Sequence, residues 1–123
     1  MASQILIIDD DSRNIYALKA TLQANGYETV AALGAEEGLH FLTTNSGNIS
    51  AILLDMMMPG MDGYQALSQI RSSVNGATIP VIAVTAQAMK GDREKCIAAG
   101  ANDYIAKPID VDILLQKLKE LKA

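Results

Sequence analysis

The sequence predicts an α/β domain built on a doubly wound parallel sheet, and three observations carry that prediction. Three aliphatic runs, "QILII" (Gln4–Ile8), "SAILL" (Ser50–Leu54) and "PVIAV" (Pro80–Val84), show no apolar–polar alternation, as expected of strands covered on both faces. Segments with helical periodicity lie between them. Acidic, hydroxyl or basic residues come directly after the runs, at the sheet edge where parallel α/β proteins gather their functional groups. At 123 residues the chain is expected to form one domain over 1–123, long enough to bury a core without covalent staples.

Local signals mark each element in turn. After "QILII", the segment "SRNIYALKATLQAN" puts Ile15, Leu18 and Leu22 on one helical stripe, with Ser12 as the expected N-cap and Gly26 at the C′ position. "YETVAAL" (Tyr27–Leu33) is a weaker strand, succeeded by the short helix "AEEGLHFLTT". "SAILL" leads through a Pro59-Gly60 turn into "DGYQALSQIRSS", which Asp62 caps. "PVIAV" precedes "KGDREKCIAAG", a helix that stops at Gly100. "NDYIA" (Asn102–Ala106) is the last, weaker strand. "DVDILLQKLKELK" then starts at Asp110 and carries lysines in its last turns, where the helix dipole favours them. Five such units imply a parallel sheet with helices on both faces. No linker or repeat interrupts the pattern, so no output domain is expected.

Composition narrows the function. The net charge of −4 gives no basic footprint, so direct nucleic-acid binding and attraction to an anionic membrane are not expected. Cys96 is the single cysteine, which excludes an internal disulfide. No apolar run approaches the ~20 residues of a membrane span, and "MASQILIIDDD" lacks the charged start of a signal peptide. A cytoplasmic location is the expectation.

The chemistry lies just past the end of each strand. "ILII" runs into Asp9, Asp10 and Asp11, "AILL" into Asp55, "VIAV" into Thr85 and Ala86, and "YIA" into Lys107 and Pro108. Two carboxylates ~4 Å apart repel by ~4 kcal/mol at an effective dielectric near 20, so their convergence requires positive charge. Lys107 supplies one, and a hard divalent cation would supply two more. Carboxylate and carbonyl oxygens suit Mg²⁺ or Mn²⁺, and without His or Cys at these positions a zinc site is a poor fit. A carboxylate, a hard metal, a lysine and a hydroxyl make a phosphoryl-handling set. Asp55 is the expected nucleophile, with the metal offsetting charge. Lys107 and Thr85 would bind phosphoryl oxygens, and the small Ala86 would leave its backbone N–H accessible.

The stretches "ILIIDDD", "LLDMMMPGMDG", "VIAVTA" and "YIAKP", in this order and spacing, resemble the receiver domain of two-component response regulators over essentially the whole chain. The resemblance implies a flavodoxin-like (βα)5 fold with strand order 2-1-3-4-5. It implies that Asp55 is the phosphoacceptor. Asp10 would touch Mg²⁺ (or Mn²⁺) directly, Asp9 through water, and Met57 through its backbone carbonyl. Thr85 and Lys107 would contact the phosphoryl group, Tyr104 would turn as Thr85 moves, and Lys107–Pro108 would be cis. Met57 and Gln87 occupy the positions that influence water attack, and the apolar Met57 suggests moderate to slow phosphate loss. The donor would be a phosphohistidine on a histidine kinase or histidine phosphotransfer domain. The receiver would catalyse its own phosphorylation and dephosphorylation without being an enzyme in the ordinary sense. The fourth helix, fifth strand and fifth helix would present a changed face to a downstream protein target, the chain acting as a monomer or weak dimer. A stand-alone protein and a receiver cut from a hybrid kinase both fit.

Simpler roles suit several other residues. Asp11 is expected at the solvated start of the first helix. Met56, Met57 and Met58 are expected to fill gaps after a buried strand, His40 to lie at or near the surface, and Cys96 to pack a helix. Tyr104 fits a core aromatic as well as a switch. A magnesium-dependent aspartyl phosphatase commonly has a second acid two residues past its nucleophile, where this chain has Met57. A nucleotide-binding Rossmann domain lacks support, since no G-x-G-x-x-G or P-loop appears.

Overall fold

The computed structural model describes residues 4–45, 48–58, 62–73, 76–85, 91–121 and 123. Five strands alternate with five helices: β1 (Gln4–Ile8), α1 (Ser12–Ala24), β2 (Glu28–Ala32), α2 (Ala35–Asn45), β3 (Ile49–Asp55), α3 (Gly63–Ser72), β4 (Val81–Thr85), α4 (Asp92–Ala98), β5 (Asp103–Ala106) and α5 (Val111–Glu120). The strands form one sheet in the order β2-β1-β3-β4-β5, every pairing parallel. This is the predicted doubly wound, flavodoxin-like arrangement.

The unbroken aliphatic runs are explained by two cores, one on each face of the sheet. Ile5 and Ile7 of β1 join Leu53, Ile82 and Val84 against Ile15 and Leu22 of α1 and Leu114 and Leu118 of α5. Leu6 and Ile8 point the other way, to Ile52 and Leu54 and to Leu42 of α2, Leu67 and Ile70 of α3 and Cys96 of α4. With both faces covered, neither parity of the strand can be polar.

Caps set the helix starts. Asp62 accepts from the Gln65 amide at 2.9 Å while the Gln65 side chain accepts from the Asp62 amide at 3.3 Å, a complete capping box. Asp110 accepts from the Ile113 amide at 3.2 Å. At α1 the expectation needs correcting: the cap is Asp11, whose carboxylate accepts from the Arg13 amide at 2.9 Å, and Ser12 is the first helical residue. An ionised carboxylate complements the helix dipole better than a hydroxyl. Gly26 and Gly100 hold φ of 89° and 119° just past α1 and α4, as C′ glycines do. The Pro59-Gly60 turn and the start of the fourth helical segment at Lys90 lie outside the described residues.

Two central strands run one residue further than their apolar runs suggest. Asp55 pairs in register with Val84, and Thr85 with Ala106. Both are therefore held by ladder hydrogen bonds rather than by loops. At the opposite sheet edge, Arg71 at the end of α3 ties three segments together. Its guanidinium donates to the carbonyls of Gly76, Ile79 and Gly100 and to Asn102 Oδ1. No helix among the described residues is long and apolar enough to cross a membrane.

Candidate functional site

The carboxyl ends of β1 and β3 lie side by side, Ile8 paired with Leu54. Asp9 and Asp55, one residue on, are therefore neighbours by register. Both carboxylates are buried, each residue 3% exposed, whereas Asp10 faces outward. One carboxylate oxygen from each of Asp9, Asp10 and Asp55 lies within 4.8 Å of the other two.

Each buried acid is oriented by backbone on one oxygen and by a cation on the other. Asp9 Oδ1 accepts from the Asp11 amide at 2.8 Å, and Asp55 Oδ1 from the Met57 amide at 3.0 Å. Lys107 Nζ is 3.9 Å from Asp9 Oδ2 and 3.5 Å from Asp55 Oδ2. Lys107 lies just past edge strand β5, two strands away from β3 in the sheet. A long flexible side chain bridges that gap where a short one would not. The backbone anchors it, the Lys107 amide donating to the Thr85 carbonyl at 2.7 Å. The Lys107–Pro108 bond is cis.

The electrostatics are unbalanced. Burial raises the Asp9 carboxyl above the ordinary aspartate value, and the nearby Asp55 charge pushes the same way, against the Asp11 amide and Lys107. Three carboxylates face one ammonium, so the cluster retains excess negative charge in a partly desolvated hollow. An all-oxygen donor set with that charge fits a hard divalent cation and not a soft one.

Two further expected site residues lie on the adjoining strands β4 and β5. Thr85 ends β4, buried, 7% exposed. Tyr104 of β5 is half-buried and packs against the core beneath α2, α3 and α4. Met56 and Met58 are buried, but Met57 is 61% exposed, so only two of the three methionines fill core gaps. Ala86 and Gln87 lie outside the described residues. Among the simpler roles, His40 is exposed on α2, and Cys96 is buried, with burial pushing its thiol up.

Gly63 also shapes the site, although nothing in the apolar pattern flags it. Its amide donates to the Met56 carbonyl at 3.2 Å, and a Cβ there would strike the Met56 backbone. Only glycine lets α3 start this close to the end of β3; the "DG" pair that opens the helix is the available signal. A cleft of about 500 Å³ leads from Asp9 and Lys107 along α1, past Asn14 and Leu18 and under Pro108 and Val111.

Residues 5–119 match the family described as the response regulator receiver domain. Among curated proteins, the chain is 36% identical over 121 residues to the response regulator PleD of Caulobacter vibrioides. That alignment covers 98% of this chain but 26% of PleD, so the chain spans about a quarter of that relative. It is 31% identical to protein PilH of Pseudomonas aeruginosa, over 98% of both chains. Among solved structures, the receiver domain of a sensor histidine kinase from Pseudomonas aeruginosa superposes with a TM-score of 0.88 at 34% identity over the full length of both. That structure carries a magnesium ion coordinated in its active-site cleft.

Proposed function

Since the chain belongs to the response regulator receiver domain family, and is thus a domain of phosphorylation-controlled signalling, we propose that Asp55 is its phosphoryl acceptor. One observation carries the reading. One carboxylate oxygen from each of Asp9, Asp10 and Asp55 lies within 4.8 Å of the other two, and Lys107 Nζ stands 3.5 Å from Asp55.

The donor is a phosphohistidine on a histidine kinase or phosphotransfer domain. An Asp55 carboxylate oxygen attacks phosphorus and the P–N bond breaks. The imidazole nitrogen leaves with the electron pair and takes up a proton. Lys107 offsets charge on one phosphoryl oxygen, and the Thr85 hydroxyl donates to another. The Met57 amide holds Asp55 Oδ1, so Oδ2 stays turned toward Lys107. Asp10, Asp55 and the Met57 carbonyl would hold Mg²⁺ directly and Asp9 would hold it through water; Mn²⁺ would suit the same oxygens. When bound, the metal neutralises the cluster and lowers the barrier to bringing an anionic phosphoryl group to an anionic acceptor. The magnesium-bound relative supports this assignment. Loss of phosphate is attack by water on phosphorus, which releases inorganic phosphate and restores the carboxylate. Both steps are thus catalysed by the receiver's own residues.

Phosphorylation adds negative charge and acceptor oxygens at the rim. Thr85 and Lys107 draw toward them, Tyr104 turns, and the surface of α4, β5 and α5 changes for a downstream protein. This is a shift between two packings. A full swing from 1:99 to 99:1 requires ~5.5 kcal/mol of differential stabilisation.

The test is intact-mass spectrometry after incubation with acetyl phosphate and Mg²⁺. One phosphate should be gained, none with excess chelator, and none in Asp55→Asn. Undiminished uptake by Asp55→Asn would refute the acceptor. Continuous turnover of added phosphomonoesters would instead identify a hydrolase.

A further inference from the structure

Met56, Met57 and Met58 are consecutive, but their surroundings differ sharply. Met56 and Met58 are 4% and 6% exposed and belong to the core beneath α2, α3 and α4. Met57 is 61% exposed. Its amide donates to Asp55 Oδ1 at 3.0 Å, so its side chain leaves the backbone at the lip of the carboxylate cluster. A large apolar side chain held in water gains little from burial there. A thioether in that place is open to oxidants while its two neighbours are shielded.

We propose that Met57 is an oxidation site through which hydroperoxides shorten the life of the phosphoryl group on Asp55; the second half of this statement rests on the acceptor role proposed above. The Met57 sulfur gives an electron pair to the terminal oxygen of the peroxide. The O–O bond breaks as the S–O bond forms. The departing hydroxide or alkoxide takes a proton and leaves as water or alcohol. The thioether is oxidised by two electrons and the peroxide is reduced by two. The product differs in what it can bind. A thioether is a weak acceptor, so Met57 orients no water beside Asp55. A sulfoxide oxygen is a strong acceptor, on an exposed side chain where water is freely available. It holds a water by one hydrogen and leaves the lone pairs free to attack phosphorus.

The experiment treats the whole chain with graded hydrogen peroxide, maps the oxidised methionines by peptide mass spectrometry, then tracks acetyl phosphate-derived phosphate on Asp55. Met57 should gain oxygen ahead of Met56 and Met58. The phosphate half-life should fall by about three- to tenfold, the effect of one hydrogen bond made in the transition state. Methionine sulfoxide reductases should restore it, and Met57→Leu, which keeps the backbone, should show no peroxide response. Earlier oxidation of Met56 or Met58, equal half-lives before and after oxidation, or an undiminished response in Met57→Leu would each overturn the proposal. Absence of phosphate from Asp55 in untreated protein would instead overturn the acceptor assignment, and this proposal with it.

Discussion

Asp9 is where burial and charge conflict most directly. Its folded-state pKa is raised, chiefly by burial, so the folded chain keeps this proton to higher pH than the unfolded chain does. The stability associated with it is therefore present in acid and lost as pH rises above 3.8 through the folded value. At neutral pH the ionised carboxylate is a net cost to the metal-free protein. Asp9→Asn should stabilise that form, because it removes the buried charge that raises the Asp9 carboxyl, with the gain shrinking toward acid. Urea unfolding in chelator at two pH values measures it, and destabilisation at neutral pH would refute the sign. Asp10→Ala should do little to the fold, because Asp10 is exposed, but should weaken Mg²⁺ binding at least about tenfold, as loss of a charged ligand implies. Calorimetric titration showing equal affinity would remove Asp10 from the metal site. The positions of these acids were legible in the sequence because each comes after an aliphatic run whose direction the parallel fold fixes. The exposure of Met57 was not, since "DMMMPG" gives no periodicity to tell an outward thioether from two inward ones.

At the scale of elements, what positions the site is mostly backbone. The register of β3 with β4 makes Asp55 a strand residue. Gly63 lets α3 begin against Met56. Gly63→Ala should cost about 1–3 kcal/mol, since the methyl meets main chain that cannot yield cheaply, and should disturb the β3–α3 connection. A urea midpoint within experimental error of the parent would show that α3 can shift freely. Arg71 plays the corresponding part at the far edge. Arg71→Leu removes donors from the carbonyls of Gly76, Ile79 and Gly100 and should cost about 2–3 kcal/mol. Its phosphate uptake should persist, because the site lies at the other end of the sheet. Helix caps were readable wherever the residue type was unambiguous, as at Asp62 and Asp110. Ser12 misled because two good capping residues stand side by side, and only the geometry shows that the Asp11 carboxylate reaches the free amide. The reach of Arg71 was not readable, because Gly100 and Asn102 are distant in sequence and the nearer partners, Gly76 and Ile79, are bound through backbone carbonyls.

For the whole molecule, strand order and layering were legible because the physics is redundant. Unalternated strands require cover on both faces, and the alternation of strand and helix leaves a parallel sheet as the arrangement. The convergence of β1 and β3 with the residue after β5 is a consequence of that order. The distances are not, and they decide the chemistry. The folded state should be tied to metal as a unit: Mg²⁺ at a hundred times its Kd should raise the unfolding free energy by about 2.7 kcal/mol, and Asp55→Asn should lose most of that gain. The central claim is that this assembled hollow places a phosphoryl group on Asp55. Its most direct measurement is borohydride reduction of the phosphorylated chain, which converts an aspartyl phosphate to homoserine, with peptide sequencing afterwards. Homoserine at position 55 is the predicted result; homoserine at position 9 or 10, or none in a chain that carries phosphate, would contradict it.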